Sequence, residues 1–155
     1  MKIVEVTAKD MQVYDNLLQA YEAEFSPLTK KKPDADGLFA KDVELGGDYK
    51  GYLLYVEGAP AGLSAIRCGP SSTFEVCDFY VLPIFRRGGT GRAFATWLFD
   101  QYKGDWEVKQ IEGADRAIAF WRATIGDYTN SAYQEDTYED AYWGTVTRQR
   151  FNNAV

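Results

Sequence analysis

The chain has 155 residues, 46% of them hydrophobic and 15% aromatic, and a formal net charge of -6 from 17 basic and 23 acidic side chains. Residues 1–155 are the length of one domain with ample core material, which excludes a disordered chain, and no apolar run is long enough to span a membrane. The acidic balance argues against nucleic acid or an anionic membrane surface as partner and suits a cationic or neutral one.

Residues 2–6 alternate apolar and polar, which predicts a first strand. The charges inside Met1-Lys2-Ile3-Val4-Glu5-Val6 are not those of a signal peptide. From Asp10, a candidate N-cap, Met11, Tyr14, Leu18, Tyr21 and Phe25 recur at helical spacing, and Pro27 is expected to end that helix. Lys30-Lys31-Lys32 reads as part of a solvated loop reaching Gly37, and a short helix is expected over 38–45. Strands are predicted at 52–56, 61–68 and 74–82, separated by turns at 57–60 and 69–72. A glycine-rich loop at 86–91 opens a helix with Phe94, Leu98 and Tyr102 on one face and Trp97 beside them, broken at Gly104. Residues 106–111 form a strand. Asp115 is placed to cap a helix with the inward stripe Ile118, Trp121 and Ile125, closed by Gly126. Residues 128–151 read as two strands around a loop at 139–144. The order predicts a mixed-sheet α/β or α+β domain.

Histidine is absent. That removes Ser-His-Asp and Cys-His nucleophile pairs and His-ligated metal sites, so no metal is expected and any base must be Asp, Glu, Tyr, Lys, backbone or water. Cys68 and Cys77 are read as reduced packing residues, which with the missing leader points to the cytoplasm.

The stretch Tyr80-Val81-Leu82-Pro83-Ile84-Phe85-Arg86-Arg87-Gly88-Gly89-Thr90-Gly91-Arg92 carries the chemistry. An apolar strand feeds glycines that open a helix, so backbone N–H groups and the helix dipole converge on one point, a phosphate cradle. It matches neither the Walker loop nor the dinucleotide fingerprint. It does match Arg/Gln-x-x-Gly-x-Gly through Arg86, Gly89 and Gly91, with Ala117-Ile118-Ala119-Phe120-Trp121 about 30 residues downstream on a later helix. This arrangement resembles the GNAT N-acetyltransferase superfamily. Phe120-Trp121-Arg122 with Tyr128-Thr129 is similar to a bacterial branch of predicted acetyltransferases.

The resemblance implies a GNAT fold, a mixed and mostly antiparallel twisted sheet flanked by helices, with acetyl-CoA as donor. The backbone N–H groups of Arg87, Gly88, Gly89, Thr90 and Gly91 would hold the pyrophosphate, with charge from Arg86, Arg87 and Arg92. The strand end at Tyr80 and Val81 would pair with the pantetheine arm and polarise the thioester. The acceptor would be a small-molecule or protein amine, and a homodimer is compatible. Two positions depart from the family pattern. Its Asn is replaced by Ala114, and its thiol-protonating Tyr by Trp121, which is either a cleft residue or core packing. Tyr128 and Tyr133 are the replacement acids by position. Glu75 and Asp78 are the acids on the bordering strand, with Asp78, nearer the strand end, preferred as base. Three residues apart, they face opposite sides of an extended strand unless a bulge intervenes. The rival reading is a non-catalytic regulatory module that binds acetyl-CoA.

Overall fold

A computed structural model describes residues 1–154. One seven-stranded sheet runs through it in the order β1-β2-β3-β4-β5-β7-β6. The strands are β1 (Lys2–Glu5), β2 (Tyr49–Val56), β3 (Ala59–Gly69), β4 (Thr73–Val81), β5 (Asp105–Ile111), β6 (Gln134–Asp140) and β7 (Gly144–Asn152). Only β4 and β5 run parallel. The helix α2 (Thr90–Gln101) makes their crossover, as a parallel pair requires. The predicted mixed, mostly antiparallel sheet is the one observed.

Each face of the sheet is covered. Helix α1 (Met11–Thr29) lays Tyr14 and Leu18 on Leu53, Leu63 and Tyr80. Helices α2 and α3 (Asp115–Thr129) cover the other face, where Phe94, Leu98, Phe99, Trp106 and Ile125 are almost fully buried. Burying each of those side chains stabilises the fold by roughly 2 kcal/mol. Trp106 and Phe151 stack within this core, and Phe99 meets both edge-on.

Several local expectations are corrected. Helix α1 continues through Pro27 to Thr29. The ring removes the N–H that would reach the Ala23 carbonyl, but the Ser26 hydroxyl donates to that carbonyl at 2.7 Å. Lys30, in the left-handed region at φ 62°, then stops the helix. Asp10 stands at the N-cap position of α1, as expected, but its side chain makes no cap bond to that helix. Its carboxylate accepts the Thr7 N–H and hydroxyl around a short 3-10 turn instead. No helix forms over 38–45. That segment is strapped to α1 by side chains: Gln19 bonds both the N–H and the carbonyl of Phe39, and Lys41 pairs with Asp15 at 2.7 Å. Asp115 is the first residue of α3 rather than its cap, and the helix passes Gly126 to end at left-handed Asn130. Lys31 is not solvated either, because its ammonium lies 2.7 Å from both Glu22 and Asp42.

Strand β4 carries the irregularity that matters for the site. Its partners on β3 step from Ile66↔Val76 to Ala65↔Asp78, leaving Cys77 as an extra residue in a β-bulge. Before the bulge, Phe74 and Val76 face α2 and α3. After it Phe79 and Val81 do, while Tyr80 faces α1. The bulge therefore brings Glu75 and Asp78 to the same α1 side of the sheet.

Candidate functional site

β4 and β5 pair only from Thr73↔Asp105 to Val76↔Val108. Beyond that rung β4 follows β3 and β5 follows β7, so the two part. The gap is a cavity of about 300 Å³ that passes between them from one sheet face to the other. Cys77, Phe79, Lys109, Ala117 and Trp121 line its α3 side and middle, and Tyr21 and Glu22 its α1 side.

The edge of β4 along this gap has peptide groups to offer. The Leu82 N–H donates to the Ala61 carbonyl at 2.8 Å, so alternation turns the peptide groups of Leu82 and Tyr80 toward β3. Those of Phe79 and Val81 point into the gap. Val81 thus lies on the open edge of β4, although its carbonyl accepts Arg86 Nε at 2.7 Å. Tyr80 does not: its backbone serves the sheet, and its hydroxyl donates to Glu24 at 3.1 Å.

The end of β4 borders the head of α2, where a Cβ on Gly91 would lie 4.0 Å from the Val81 side chain. Gly88 and Gly89 both hold φ 77°, the left-handed region where a side chain is strained. The first turn-closing bond is from the Ala93 N–H to the Gly89 carbonyl. Among the described residues, no backbone carbonyl accepts the N–H groups of Arg87, Gly88, Gly89, Thr90, Gly91 and Arg92. These orphan donors and the dipole of α2 form an anion cradle. Gly91 has a packing role too: a Cβ there would lie 3.1 Å from the Phe120 ring of α3.

The three arginines divide by what they touch. Arg86 makes a two-pronged bond to the Glu24 carboxylate at 2.9 and 2.7 Å, so its side chain belongs to α1 and not to the loop's open side. Arg92 pairs with Asp127 of α3. Arg87 is exposed and has no ion pair among the described residues, which leaves it free for a phosphate.

Asp78 is 8% exposed beneath α1. Burial, then the charges of Glu22 and Asp42, push its carboxyl up to about 7, with Lys31 and the Tyr21 hydroxyl pulling the other way. Tyr21 lines the cavity and its hydroxyl draws the Asp78 carboxyl down, so it lies between the cavity and the carboxylate behind it. Burial keeps the Tyr21 phenol protonated far above the usual range. Glu75 lines the cavity directly and lies 3.4 Å from the Lys109 ammonium. Cys77 also lines it, but burial pushes its thiol up to about 12, against service as a nucleophile.

Trp121 is 5% exposed and holds both roles considered for it, packing on Phe79, Phe99 and Phe120 while bordering the cavity. Tyr128 is a correction. It lies seven residues further along α3, about two helical turns or roughly 10 Å. Its hydroxyl donates to Asp100 at 2.7 Å and accepts from Asn153, away from the cavity. Tyr133 lines a separate groove with Phe74 and Trp106. The sequence reading missed Tyr21, Phe79 and Trp143 as lining residues; their helical and strand spacing marks only core faces, and nothing local reveals where two strands part. Among the described residues no cluster of His, Cys, Asp or Glu could hold a metal ion, and no helix is long and apolar enough to cross a membrane.

No family model matches the sequence, and no curated protein matches it. Solved structures do. Ribosomal-protein-S18-alanine N-acetyltransferase from Escherichia coli superposes with a TM-score of 0.65 at 15% identity, over 99% of this chain and 94% of its own. A putative GNAT-family acetyltransferase from Bacteroides thetaiotaomicron gives 0.66 at 16%, over 100% and 89%. A Bacillus subtilis acetyltransferase in complex with CoA gives 0.60 at 9%, over 97% of each chain. At such identities the likeness is one of fold, and that fold is the GNAT acetyltransferase fold.

Proposed function

We propose that this GNAT-fold chain, residues 1–155, is a single cytoplasmic N-acetyltransferase domain that moves an acetyl group from acetyl-CoA directly to an amine in a ternary complex. The observation that carries the reading is the parting of β4 from β5 into a cavity, together with orphan N–H groups at the head of α2, which packs beside the end of β4 at Val81. The residues present fit the donor. Arg87 and the amides from Arg87 to Arg92 suit a pyrophosphate, and the open edge at Phe79 and Val81 suits a pantetheine chain, which binds as an added strand does. Bound there, acetyl-CoA supplies an activated thioester. The inward amides of Phe79 and Val81 are the donors available to its carbonyl oxygen as charge develops.

The acceptor amine must lose a proton. An ordinary alkyl amine has a pKa near 10.4, so only about one molecule in a few thousand is neutral at pH 7. Asp78, at about 7, is matched to take a proton near neutrality. Tyr21 passes it on, because a hydroxyl can donate to the carboxylate while accepting from the amine. The departing thiolate has no phenol beside it on α3. The indole N–H of Trp121 can donate a hydrogen bond to it but not a proton. That substitution favours the second reading, a regulatory module that binds acetyl-CoA without turnover.

Gly89→Val tests the donor site. A β-branched side chain at φ 77° blocks the approach to the cradle. Acetyl-CoA should raise the melting temperature of the wild type and leave that of the variant unmoved. Equal shifts in the two would refute the site. Release of free CoA across an amine panel then separates the enzyme from the regulatory module.

A further inference from the structure

We propose that the acceptor is a short diamine or oligoamine, held on the α1 side of the cleft by an aromatic and carboxylate cage that binds a second ammonium group besides the one acetylated. This rests on reading the cleft as the acetyl-transfer site. Three carboxylates, Glu22, Glu75 and Asp140, and four aromatic side chains, Tyr21, Phe25, Tyr138 and Trp143, line that half of the cavity. The one ammonium among the lining residues is that of Lys109, which lies 3.4 Å from Glu75 and 3.9 Å from Glu107. Lys31 is shared between Glu22 and Asp42, so it does not cancel Asp78 as well.

Asp140 is the carboxylate left over. It closes the hairpin between β6 and β7, and one of its oxygens accepts the N–H groups of Tyr142 at 2.8 Å and Trp143 at 2.9 Å. Those amides hold its carboxyl below the usual range, and among the described residues it has no ion pair. A fixed negative charge therefore stands on the same hairpin turn as the Trp143 indole, and an aromatic face attracts an ammonium. Glu22 and Tyr21, next to Asp78, stand on α1. The cavity thus has anionic groups on two separate elements, and one amine cannot serve both. Glu22 and Glu75 already have lysine partners, so a neutral chain would leave Asp140 as the one lining carboxylate without an ion pair among the described residues. At about 300 Å³ the cavity is at the low end for small ligands, which limits the acceptor to a short chain.

Calorimetry with the full chain loaded with desulfo-CoA, which cannot react, tests the cage without turnover. At pH 8 and low salt, 1,4-diaminobutane should bind at least tenfold more tightly than 1-aminobutane or 4-amino-1-butanol. Asp140→Asn keeps the acceptor for the Tyr142 and Trp143 amides and removes only charge, so it should bring the amines to within about twofold of one another. Should that variant not fold, Glu22→Gln is expected to narrow the preference in the same way. Equal affinities in the wild type, or a preference that survives the charge-removing substitution, would overturn the cage. Failure of desulfo-CoA to bind would instead count against the acetyl-transfer reading, and the same three amines titrated onto the chain alone would still decide the cage by the same criterion.

Discussion

Asp78→Asn should push stability and activity in opposite directions. The native carboxyl sits near 7 against an ordinary 3.8 because it is buried beside Glu22 and Asp42. Its native pKa is raised, so folding takes up a proton between those values, and the stabilising contribution is lost as pH rises through about 7. A rise from 3.8 to about 7 corresponds to on the order of 4 kcal/mol, at 1.36 kcal/mol per pKa unit. Lys31, Tyr21 and Tyr14 face the same carboxylate, and their adjustment reduces that figure to a few kcal/mol. Asparagine has nearly the same shape and never ionises. The variant should therefore gain on the wild type steadily from about pH 4 to 7 and hold a constant advantage above that. Urea unfolding of both proteins from pH 4 to 8 measures the difference, and any fixed cost of the new amide cancels from its slope. A difference that does not change with pH would refute the account of Asp78. In parallel, kcat should fall by roughly 100-fold, the span of a lost general base, while Glu75→Gln has a mild effect. The reverse ranking would move the role to Glu75.

Arg87→Ala should raise the KM for acetyl-CoA roughly tenfold, the worth of one charge-assisted contact. Arg86→Ala should lower Tm and leave that KM within about twofold, since its guanidinium is engaged by Glu24; steady-state kinetics that show the opposite ranking would contradict the assignment. Trp121→Tyr and Trp121→Phe should each cost on the order of 1–3 kcal/mol through the cavity they leave. A faster Tyr variant per folded molecule would place position 121 at the sulfur, whereas identical rates would confine it to packing. Tyr128→Phe should not change kcat at all, and a fall of tenfold or more would restore it as a candidate.

The sheet, the three long helices and the glycine loop that opens α2 were legible because each has a local cause. Alternation marks strands, the stripe from Met11 to Phe25 marks α1, and the glycines before Thr90 mark a loop opening a helix. The site's interior was not legible, because its determinants are tertiary. Whether Glu75 and Asp78 share a face depends on the bulge at Cys77, which has no signature in the residues themselves. The pKa of Asp78 depends on Glu22 and Asp42, which are far from it in sequence. Lys31 read as solvated because nothing nearby in the chain shows that two carboxylates converge on it. Pro27 misled for a simpler reason: the rule that proline stops helices holds for its interior, and the last turn has the Ser26 hydroxyl to satisfy the freed carbonyl.

The extra residue in β4 also sets which mutations this strand can survive. Exchange of Cys77 for another small residue keeps the phase of everything beyond it, so substitution at this position is cheap. Flattening the bulge, with Cys77 drawn into regular pairing opposite Ala65, is another matter. It would turn Asp78 toward Phe94, Phe120 and Trp121 and carry Phe79 beneath α1, transposing a charge and a ring at once. Regular pairing could then run on past Val108 and seal the gap between β4 and β5. Homologous chains that keep Glu75 and Asp78 two paired rungs apart on one face should keep the bulge between them, whatever residue they place in it.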